Sequence, residues 1–483
     1  MCDRERGWSE VPLAKTWQLI AGSAVAGLAL SAAVVSAAGP WDSGQRKAER
    51  DEAASWSRTG GADHAAGAPP QAAPSAPGVL AGVVPRTADA VGAAPDALAG
   101  VLRPLLADPA LGTVRGASVV DTATGRVLFE SGSGEAMIPA STVKIATASA
   151  ALAALGPEHR IRTTVTPGAG PGAIVLVGGG DPSLTAKKKS PAGSGGSLVA
   201  LAADTAQVLK AAGTDTVALG YDDSLYTGAV RHPIGPNDNL APVTALTADE
   251  GRPDDSTSGP VTRTEDPSGD TARAFAGLLR DRGIKVTGDP ARTKAPAGAQ
   301  PLATTLSTPL AGLVERMLTN SDNDIAEALA RQTALAAGQG AAFEGAEKAV
   351  AEKLASLGLD VAGTRFADGS GLNRADKVTT RLLTGLLAAA ADPRHPELRP
   401  VLTGLPVAGF TGTLRARNAG TSPAAGLLRA KTGTLTGVNS LAGTVVDPSG
   451  RLLAFAFLTA GAADGPAAEK GLDKLAAAVA TTS

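Results

Sequence analysis

Residues 141–157 read STVKIATASAALAALGP, and this stretch determines how the rest of the chain is interpreted. Small and apolar residues continue up to Gly156-Pro157, which predicts a helix that begins at Ser141 and ends at that pair. Ser141 and Lys144 are three positions apart and would share one helix face, with the amine within hydrogen-bond reach of the hydroxyl. Burial and the positive end of the helix dipole disfavour a protonated amine, so Lys144 is a candidate base for a Ser141 nucleophile. Taken alone, S-x-x-K is also common on ordinary surface helices.

A second polar motif, Ser321-Asp322-Asn323, lies just before another predicted helix. The Ser321 hydroxyl can relay a proton, and the Asn323 carboxamide can hold a substrate amide through both its donor and its acceptor. The same residues are also favoured helix caps. Taken alone, the motif therefore fits a cap better than a binding site.

The third motif, K-T-G-T at residues 431–434, lies in a run typical of a β-strand. A regular strand would direct Lys431 and Gly433 to one face, and Thr432 and Thr434 to the other. Gly433 would let a substrate backbone approach closely. A cation beside hydroxyls suits a terminal carboxylate. The alternative is an edge strand protected by a lysine.

Composition excludes several classes of function. Forty-four basic and 46 acidic residues leave a formal charge of −2, which gives no electrostatic reason to expect nucleic acid as a partner. Histidine and cysteine are too scarce to predict a metal site, and no cofactor is expected. These residues are His64, His159, His232, His395 and Cys2.

The N-terminal region predicts export. Residues 1–16 are polar and are interpreted as a cytoplasmic N-terminus, followed at 17–38 by WQLIAGSAVAGLALSAAVVSAA, which is long enough to span a membrane. We interpret 17–38 as a membrane anchor or a signal segment, since its last four residues also resemble a cleavage site. Residues 39–88 are rich in Ala, Pro and Gly and predict a disordered linker. In either case the remainder would lie outside the cytoplasm.

The rest of the chain divides into three parts. Residues 89–157 contain a predicted helix, PDALAGVLRPLL, and a predicted β-hairpin, ASVVDTATGRVLFESG. Residues 158–300 have short strand candidates (AIVLVGGG and TVALGYDD) and many Gly/Pro breaks, and they are interpreted as an inserted domain. Residues 301–483 have three or more helical segments and then a strand, turn, strand and helix.

The three motifs in this order form the set shared by penicillin-binding proteins and class A β-lactamases. With them, residues 94–475 resemble the D-Ala-D-Ala carboxypeptidase/endopeptidase branch of penicillin-binding proteins, the low-molecular-mass class C or peptidase family S13. Five further stretches carry the resemblance: GGGDPSLT (178–185), YDDSLYTG (221–228), ADGSGLNR (367–374), LPVAGFTGTLRAR (405–417) and AKTGTLTGVNSLAG (430–443).

The resemblance implies an α/β (α+β) fold. A β-lactamase/transpeptidase-like domain, with an antiparallel sheet flanked by helices, would contain an inserted, strand-rich second domain. It also implies that Ser141 attacks the carbonyl between two D-alanines while Lys144 accepts its proton. Ser321 would pass a proton to the departing D-alanine, and Asn323 would hold the peptide.

For the third motif, the resemblance implies that Lys431, Thr432 and Thr434 bind the terminal carboxylate. The backbone N–H groups of Ser141 and Thr434 would form the oxyanion hole. The resemblance implies peptidoglycan peptides as substrates and β-lactam antibiotics as inhibitors, whereas the membrane is predicted as a partner from the N-terminal segment alone.

Several points stay open at this stage. Asp222 or Asp223 is a candidate for a substrate contact in the inserted domain, with a turn after a strand as the alternative. Residues 368–370 are expected to shape a loop near the site. Two other functions compete: a class A-like β-lactamase, which would need a glutamate to activate the deacylating water, and a catalytically silent wall-binding protein.

Overall fold

The computed structural model describes residues 95–189 and 195–482. The predicted anchor at 17–38 and the predicted linker at 39–88 lie outside the described residues. Within the described ranges, no helix combines the length and the apolar character needed to cross a membrane.

The described strands form two sheets of five strands each. In chain order the strands are β1 (Val114–Asp121), β2 (Val127–Ser131), β3 (Arg162–Pro167), β4 (Ala173–Val177), β5 (Thr216–Asp222), β6 (Lys285–Arg292), β7 (Ala303–Leu306), β8 (Leu428–Leu435), β9 (Val438–Val446) and β10 (Leu452–Ala460).

Ten α-helices are described between and around the strands. They are α1 (Pro95–Leu106), α2 (Lys144–Leu155), α3 (Leu198–Ala211), α4 (Pro267–Arg280), α5 (Leu310–Asn320), α6 (Asn323–Ala336), α7 (Phe343–Ser356), α8 (Thr380–Ala391), α9 (Arg399–Thr403) and α10 (Gly465–Thr481). Short 3₁₀ turns also occur, among them Ala140–Val143 and Asp249–Gly251.

The first sheet is antiparallel throughout, in the order β2-β1-β10-β9-β8. Helices cover both faces, so β10 is apolar at successive positions rather than at alternate ones. Leu453, Phe455 and Phe457 join the core beneath α1 and α10, whereas Ala454, Ala456 and Leu458 join the core beneath α2, α5 and α8. This arrangement confirms the predicted antiparallel sheet flanked by helices.

The second sheet has the order β6-β5-β4-β3-β7 and is mixed. Strands β4, β5 and β6 run parallel, whereas β3 pairs antiparallel with β4 and β7. Parallel neighbours need a crossover connection, and α3 and α4 provide it. Neither helix was predicted, although Ser197 and Asp266 cap their first turns through side-chain oxygens. The boundary at 300 stays a prediction, and β7 lies just beyond it.

Candidate active site

Ser141 lies in the 3₁₀ turn Ala140–Val143, which leads directly into α2. The preceding residue, Ala140, is fully buried and has a φ of 47°, a left-handed conformation that costs a non-glycine residue roughly 1–3 kcal/mol. The bend carries the chain from a loop into the helix. The Ser141 side chain remains partly exposed at that point, with Lys144 at the start of the helix.

Lys144 is fully buried, and its Nζ has three oxygen neighbours. Ser141 Oγ is 3.0 Å away, Asn323 Oδ1 is 2.7 Å away and the Ser370 carbonyl oxygen is 2.6 Å away. The carbonyl and the amide oxygen can only accept hydrogen bonds. They take both hydrogens of a neutral amine, and its lone pair is then left for the Ser141 hydroxyl. The geometry therefore suits proton transfer from Ser141 to Lys144.

The electrostatic environment of Lys144 moves its pKa towards physiological pH. Burial lowers the pKa of Lys144 to about 8, because the charged form loses its hydration. Four buried carboxyl groups oppose this shift and keep the pKa from falling further: Asp368, Glu327, Asp322 and Asp376. The amine is therefore able to exchange a proton close to neutral pH.

The second motif forms the junction between α5 and α6. Ser321 ends α5 in a left-handed conformation with a φ of 60°, and Asp322 caps α6 by accepting a hydrogen bond from Ile325 N at 3.0 Å. Asn323 Nδ2 donates to the Asn239 carbonyl oxygen at 3.0 Å, which directs Oδ1 towards Lys144. The motif is therefore a helix cap and also a neighbour of the first motif.

The cap is further held by an ion-pair network of arginines from α5 and from the segment between β5 and α4. Arg263 forms an ion pair with Asp324 at 3.1 Å. Arg252 pairs with buried Glu250 at 2.8 Å, and Arg316 contacts both Glu250 and Asp322. This network ties the segment between β5 and α4 to the junction of α5 and α6 beside the second motif.

The third motif lies on β8, but its lysine is buried and does not line the cavity. Lys431 is fully buried, and its Nζ donates to the Thr432 carbonyl oxygen at 2.7 Å. Burial, together with the charges of Lys144 and Arg417, lowers the pKa of Lys431 well below its usual range. Thr432 and Thr434 line the cavity; the Thr432 hydroxyl donates to Thr413 Oγ1 at 2.9 Å, and the Thr434 hydroxyl donates to Glu469 Oε1 at 2.8 Å.

Gly433 is needed for the protein's own chain, and its role in admitting a substrate backbone stays a prediction. A Cβ at this position would lie 2.2 Å from Ser440 Oγ, 2.8 Å from the Pro139 carbonyl oxygen and 3.0 Å from Ser141 N. Gly371 approaches the same turn from the other side, where a Cβ would lie 2.0 Å from the Ala140 carbonyl oxygen. Two glycines therefore allow β8 and the 368–371 loop to pack closely around the Ser141 backbone.

One cavity of about 340 Å³ brings together residues from all three motifs. Its lining includes Ser141, Ser321, Asn323, Thr432 and Thr434. Lys144 lies behind Ser141, where solvent does not reach it. The motifs are far apart in the sequence, so their convergence on one cavity is the main structural observation about the site.

The two aspartates predicted in the inserted domain do not line this cavity. Asp222 accepts hydrogen bonds from Ser224 N at 2.9 Å and Ala295 N at 2.8 Å. Asp223 pairs with Arg292 at 3.0 Å. Their substrate contact stays a prediction.

Sequence reasoning missed several groups of this site. Ser370 was expected only to belong to a loop near the site. No role was predicted for Thr413, which lies in the stretch LPVAGFTGTLRAR. A main-chain oxygen has no signature in a sequence. The threonine follows a glycine at the end of a loop, and this pattern by itself does not indicate contact with β8.

Comparison with known proteins agrees with this geometry. The family model described as the D-Ala-D-Ala carboxypeptidase 3 (S13) family matches residues 98–259 and 250–479. A carboxypeptidase of Mycobacterium tuberculosis is 38% identical over 424 residues, covering 85% of this chain and 88% of that protein. A D-alanyl-D-alanine carboxypeptidase of Actinomadura sp. is 32% identical over 463 residues, covering 78% of this chain and 84% of that protein.

The fold is similar to that of a solved relative. The crystal structure of penicillin binding protein 4 from Haemophilus influenzae superposes with a TM-score of 0.64 at 23% sequence identity. The match covers 78% of this chain and 97% of that structure. Together with the matched ranges above, these similarities confirm the resemblance drawn from the motifs: the chain belongs to the D-Ala-D-Ala carboxypeptidase 3 (S13) family.

Proposed function

We propose that this protein is a serine-type D-Ala-D-Ala carboxypeptidase that acts on peptidoglycan stem peptides through an acyl-enzyme. The observation that carries the proposal is the position of the Lys144 amine, 3.0 Å from Ser141 Oγ and 2.7 Å from Asn323 Oδ1. A nucleophile, a buried base and an amide-binding side chain thus meet at one cavity. Membership of the family and the names of the relatives support the same reaction.

Acylation begins when Ser141 Oγ attacks the carbonyl carbon between the two D-alanines. The hydroxyl proton moves to Lys144 Nζ, and the carbonyl oxygen becomes an oxyanion held by the backbone N–H groups of Ser141 and Thr434. Asn323 holds the peptide amide. Ser321 relays a proton to the nitrogen of the leaving D-alanine as the C–N bond breaks. Water then attacks the ester, a proton returns to Ser141 Oγ, and the shortened peptide leaves.

We place the terminal carboxylate against the Thr432 and Thr413 hydroxyls and against Thr434, whose own hydroxyl must turn from Glu469 Oε1 to donate to it. Lys431 acts from behind them, since its amine is bonded to the Thr432 carbonyl oxygen. The lysine's contribution is to hold the strand in place and to supply positive potential when it is protonated.

Penicillins would acylate Ser141 because their lactam resembles the D-Ala-D-Ala bond. A class A-like β-lactamase needs a glutamate beside the acyl group to activate water. In the described part of the chain, the acidic residues that line the cavity are aspartates, Asp322 and Asp324, and no glutamate lines it. Slow hydrolysis of bound penicillin is therefore expected, and rapid turnover would favour the β-lactamase alternative.

Endopeptidase activity is a second candidate, and one feature favours it. A cavity of about 460 Å³ adjoins the first and shares Arg252, Ser258 and Asn320 with it. Asn320, which lines both cavities, immediately precedes Ser321, the residue proposed to protonate the leaving nitrogen. In a cross-link the leaving residue carries a side chain joined to a second peptide, which needs room that D-alanine does not. Assay of cross-linked muropeptides beside a pentapeptide tests this directly.

The proposed site of action is outside the cytoplasm, at the cell wall, with residues 17–38 as an anchor or signal segment. The support is the substrate class that the relatives' names state. The proposed partners are peptidoglycan peptides and β-lactams. A solved form of the Haemophilus influenzae protein is complexed with a β-lactam.

The pH dependence of acylation should follow the protonation of Lys144. The base must be neutral to accept a proton, and its pKa is about 8. Below that pH the second-order rate constant for acylation should rise about tenfold per pH unit, and above it the rate should level off. Stopped-flow labelling with a fluorescent penicillin from pH 5 to pH 9 measures this. A flat profile between pH 5 and pH 8 would contradict a base with this pKa.

The direct test of the function is release of D-alanine from a pentapeptide ending in D-Ala-D-Ala. We expect release together with covalent labelling by penicillin. A folded protein that shows neither would support the alternative of a catalytically silent wall-binding protein.

A further inference from the structure

A buried histidine outside the three motifs lies close to the catalytic lysine. His232 belongs to the segment between β5 and α4, and 4% of its surface is exposed. Its Nε2 lies 2.8 Å from Asp368 Oδ2, and Asp368 is also 4% exposed. The ring packs edge-on against Phe343 with centroids 5.5 Å apart. Polar groups buried to this degree need a structural or chemical reason.

Hydrogen bonds determine the tautomer of His232. The backbone N–H of Ile234 donates to Nδ1 at 3.2 Å, so Nδ1 carries no hydrogen. The hydrogen of the neutral ring is therefore on Nε2, which donates to the Asp368 carboxylate. Burial raises the pKa of Asp368, but hydrogen bonds from His232 and others outweigh it and lower the pKa to about 2.

Asp368 in turn shapes the loop that contacts Lys144. Its two oxygens accept from Gly371 N at 2.6 Å, Asn373 N at 2.7 Å and Ser370 Oγ at 3.1 Å. From the opposite side, Glu327 Oε1 accepts from Gly369 N at 3.1 Å and Ser370 N at 3.0 Å. Hydrogen bonds from the backbone amides of the loop to these carboxylates thus hold the loop in place. In this position the Ser370 carbonyl oxygen points at Lys144 Nζ, 2.6 Å away.

Other charged groups close the cluster. Asp376 Oδ1 accepts from Asp368 N at 3.2 Å, and Arg331 lies over the Phe343 ring at 4.4 Å. His232, Glu327 and Asp368 are close enough together to suggest a metal site. However, the imidazole is at hydrogen-bond distance from Asp368, and both nitrogens are already in use. His232 therefore already has a hydrogen-bond partner at each ring nitrogen within this cluster.

We propose that His232 is a positioning residue for the reaction. Its bond to Asp368 holds the 368–371 loop so that the Ser370 carbonyl takes one amine hydrogen of Lys144, which aims the lone pair at Ser141. The inference rests on the proposed function, in which Lys144 is the base. The segment between β5 and α4 would then help to orient the base. In this proposal His232 does not contact the substrate.

The test separates binding from acylation. Labelled penicillin gives the dissociation constant of the first complex and the rate constant of acylation for each variant. His232→Leu should lower the acylation rate constant about 10²-fold, because small displacements of a base have effects of that size. The dissociation constant should stay within about twofold of wild type, since Asn323, Thr432 and Thr434 are unchanged.

A conservative variant and a matched control complete the design. His232→Gln keeps an N–H near the Nε2 position and should recover most of the lost rate, which a purely steric role would not predict. His395→Leu makes the same change at a partly exposed histidine beside Glu397 and should leave both constants unchanged. Circular dichroism melting curves identify variants that do not fold.

A second variant tests the position of the same loop without changing His232. Thr147 Oγ1 donates to the Gly369 carbonyl oxygen at 2.7 Å and anchors the same loop from α2. If the leucine variant does not fold, Thr147→Val should show the same selective loss of acylation rate. Wild-type acylation in either folded variant, or no recovery in a folded His232→Gln, would overturn the proposal. A wild-type protein that penicillin does not label would remove the proposed function, and this inference with it.

Discussion

Replacing Ser141 by alanine is expected to abolish covalent labelling by penicillin and to lower D-alanine release about 10⁶-fold. Loss of the nucleophile in serine acyl-transfer enzymes has an effect of this size because no acyl-enzyme can form. The fold should be unaffected. Ser141 Oγ has only a long contact of 3.4 Å with the Ser370 carbonyl oxygen besides the Lys144 amine. Mass spectrometry of the penicillin-treated protein, beside a D-alanine assay, measures both effects.

Ser149 provides a matched control on the same helix. Its hydroxyl donates only to the Ile145 carbonyl oxygen at 2.8 Å, one turn earlier in α2. Ser149→Ala should therefore keep both labelling and turnover. If Ser141→Ala retained D-alanine release, the nucleophile would have to be another residue.

Replacing Lys144 by methionine is expected to lower the acylation rate about 10⁴-fold, at the upper end of the effect of a general base. Methionine has a similar length but neither accepts nor donates the transferred proton. The pH dependence of any residual acylation should also lose the limb near pH 8. Lys348→Met on α7, where the lysine is exposed beside Glu352, is the control and should leave acylation unchanged.

The stability of the Lys144→Met protein should remain close to that of wild type. A buried lysine with a pKa near 8 instead of 10.5 disfavours folding at pH 7 by about 3 kcal/mol, since the unfolded chain binds the proton more tightly. This penalty is fully present below about pH 8 and disappears as the pH rises to 10.5. Methionine removes it but leaves Asn323 Oδ1 and the Ser370 carbonyl without a donor, at roughly 1–3 kcal/mol each. A large fall in melting temperature would mean that the amine is mainly structural.

The sequence predicted the first sheet and its motifs well. Local sequence signals were strong in this part of the chain. The hairpin turn at Asp121, the helix that follows Ser141 and the strand around Lys431 can each be predicted from the residues of that segment alone. The convergence of the three motifs was predicted from their occurrence together in one chain, not from a geometric argument. The family comparison confirmed the fold and the reaction class.

Other features could not be read from the sequence for physical reasons. Whether the Lys431 amine is buried or exposed depends on how β8 packs against the neighbouring helices. The alternation of residues along the strand is the same in both cases, so the sequence does not distinguish them. The bond from His232 to Asp368 joins positions 136 residues apart. The role of Gly433 depended on the position of the Pro139–Ser141 backbone, which only the folded chain reveals.

The order of strands in the first sheet has a consequence for the time at which the protein becomes active. The N-terminal strand β1 pairs with the C-terminal strand β10, and Thr432 and Thr434 lie on β8. The nucleophile is therefore synthesised about 290 positions before the residues of its carboxylate site. Contacts over such separations form late. A nascent or partly translocated chain would carry Ser141 without a reactive centre around it, and the first hydrolysis must wait until the C-terminal hairpin has emerged and docked.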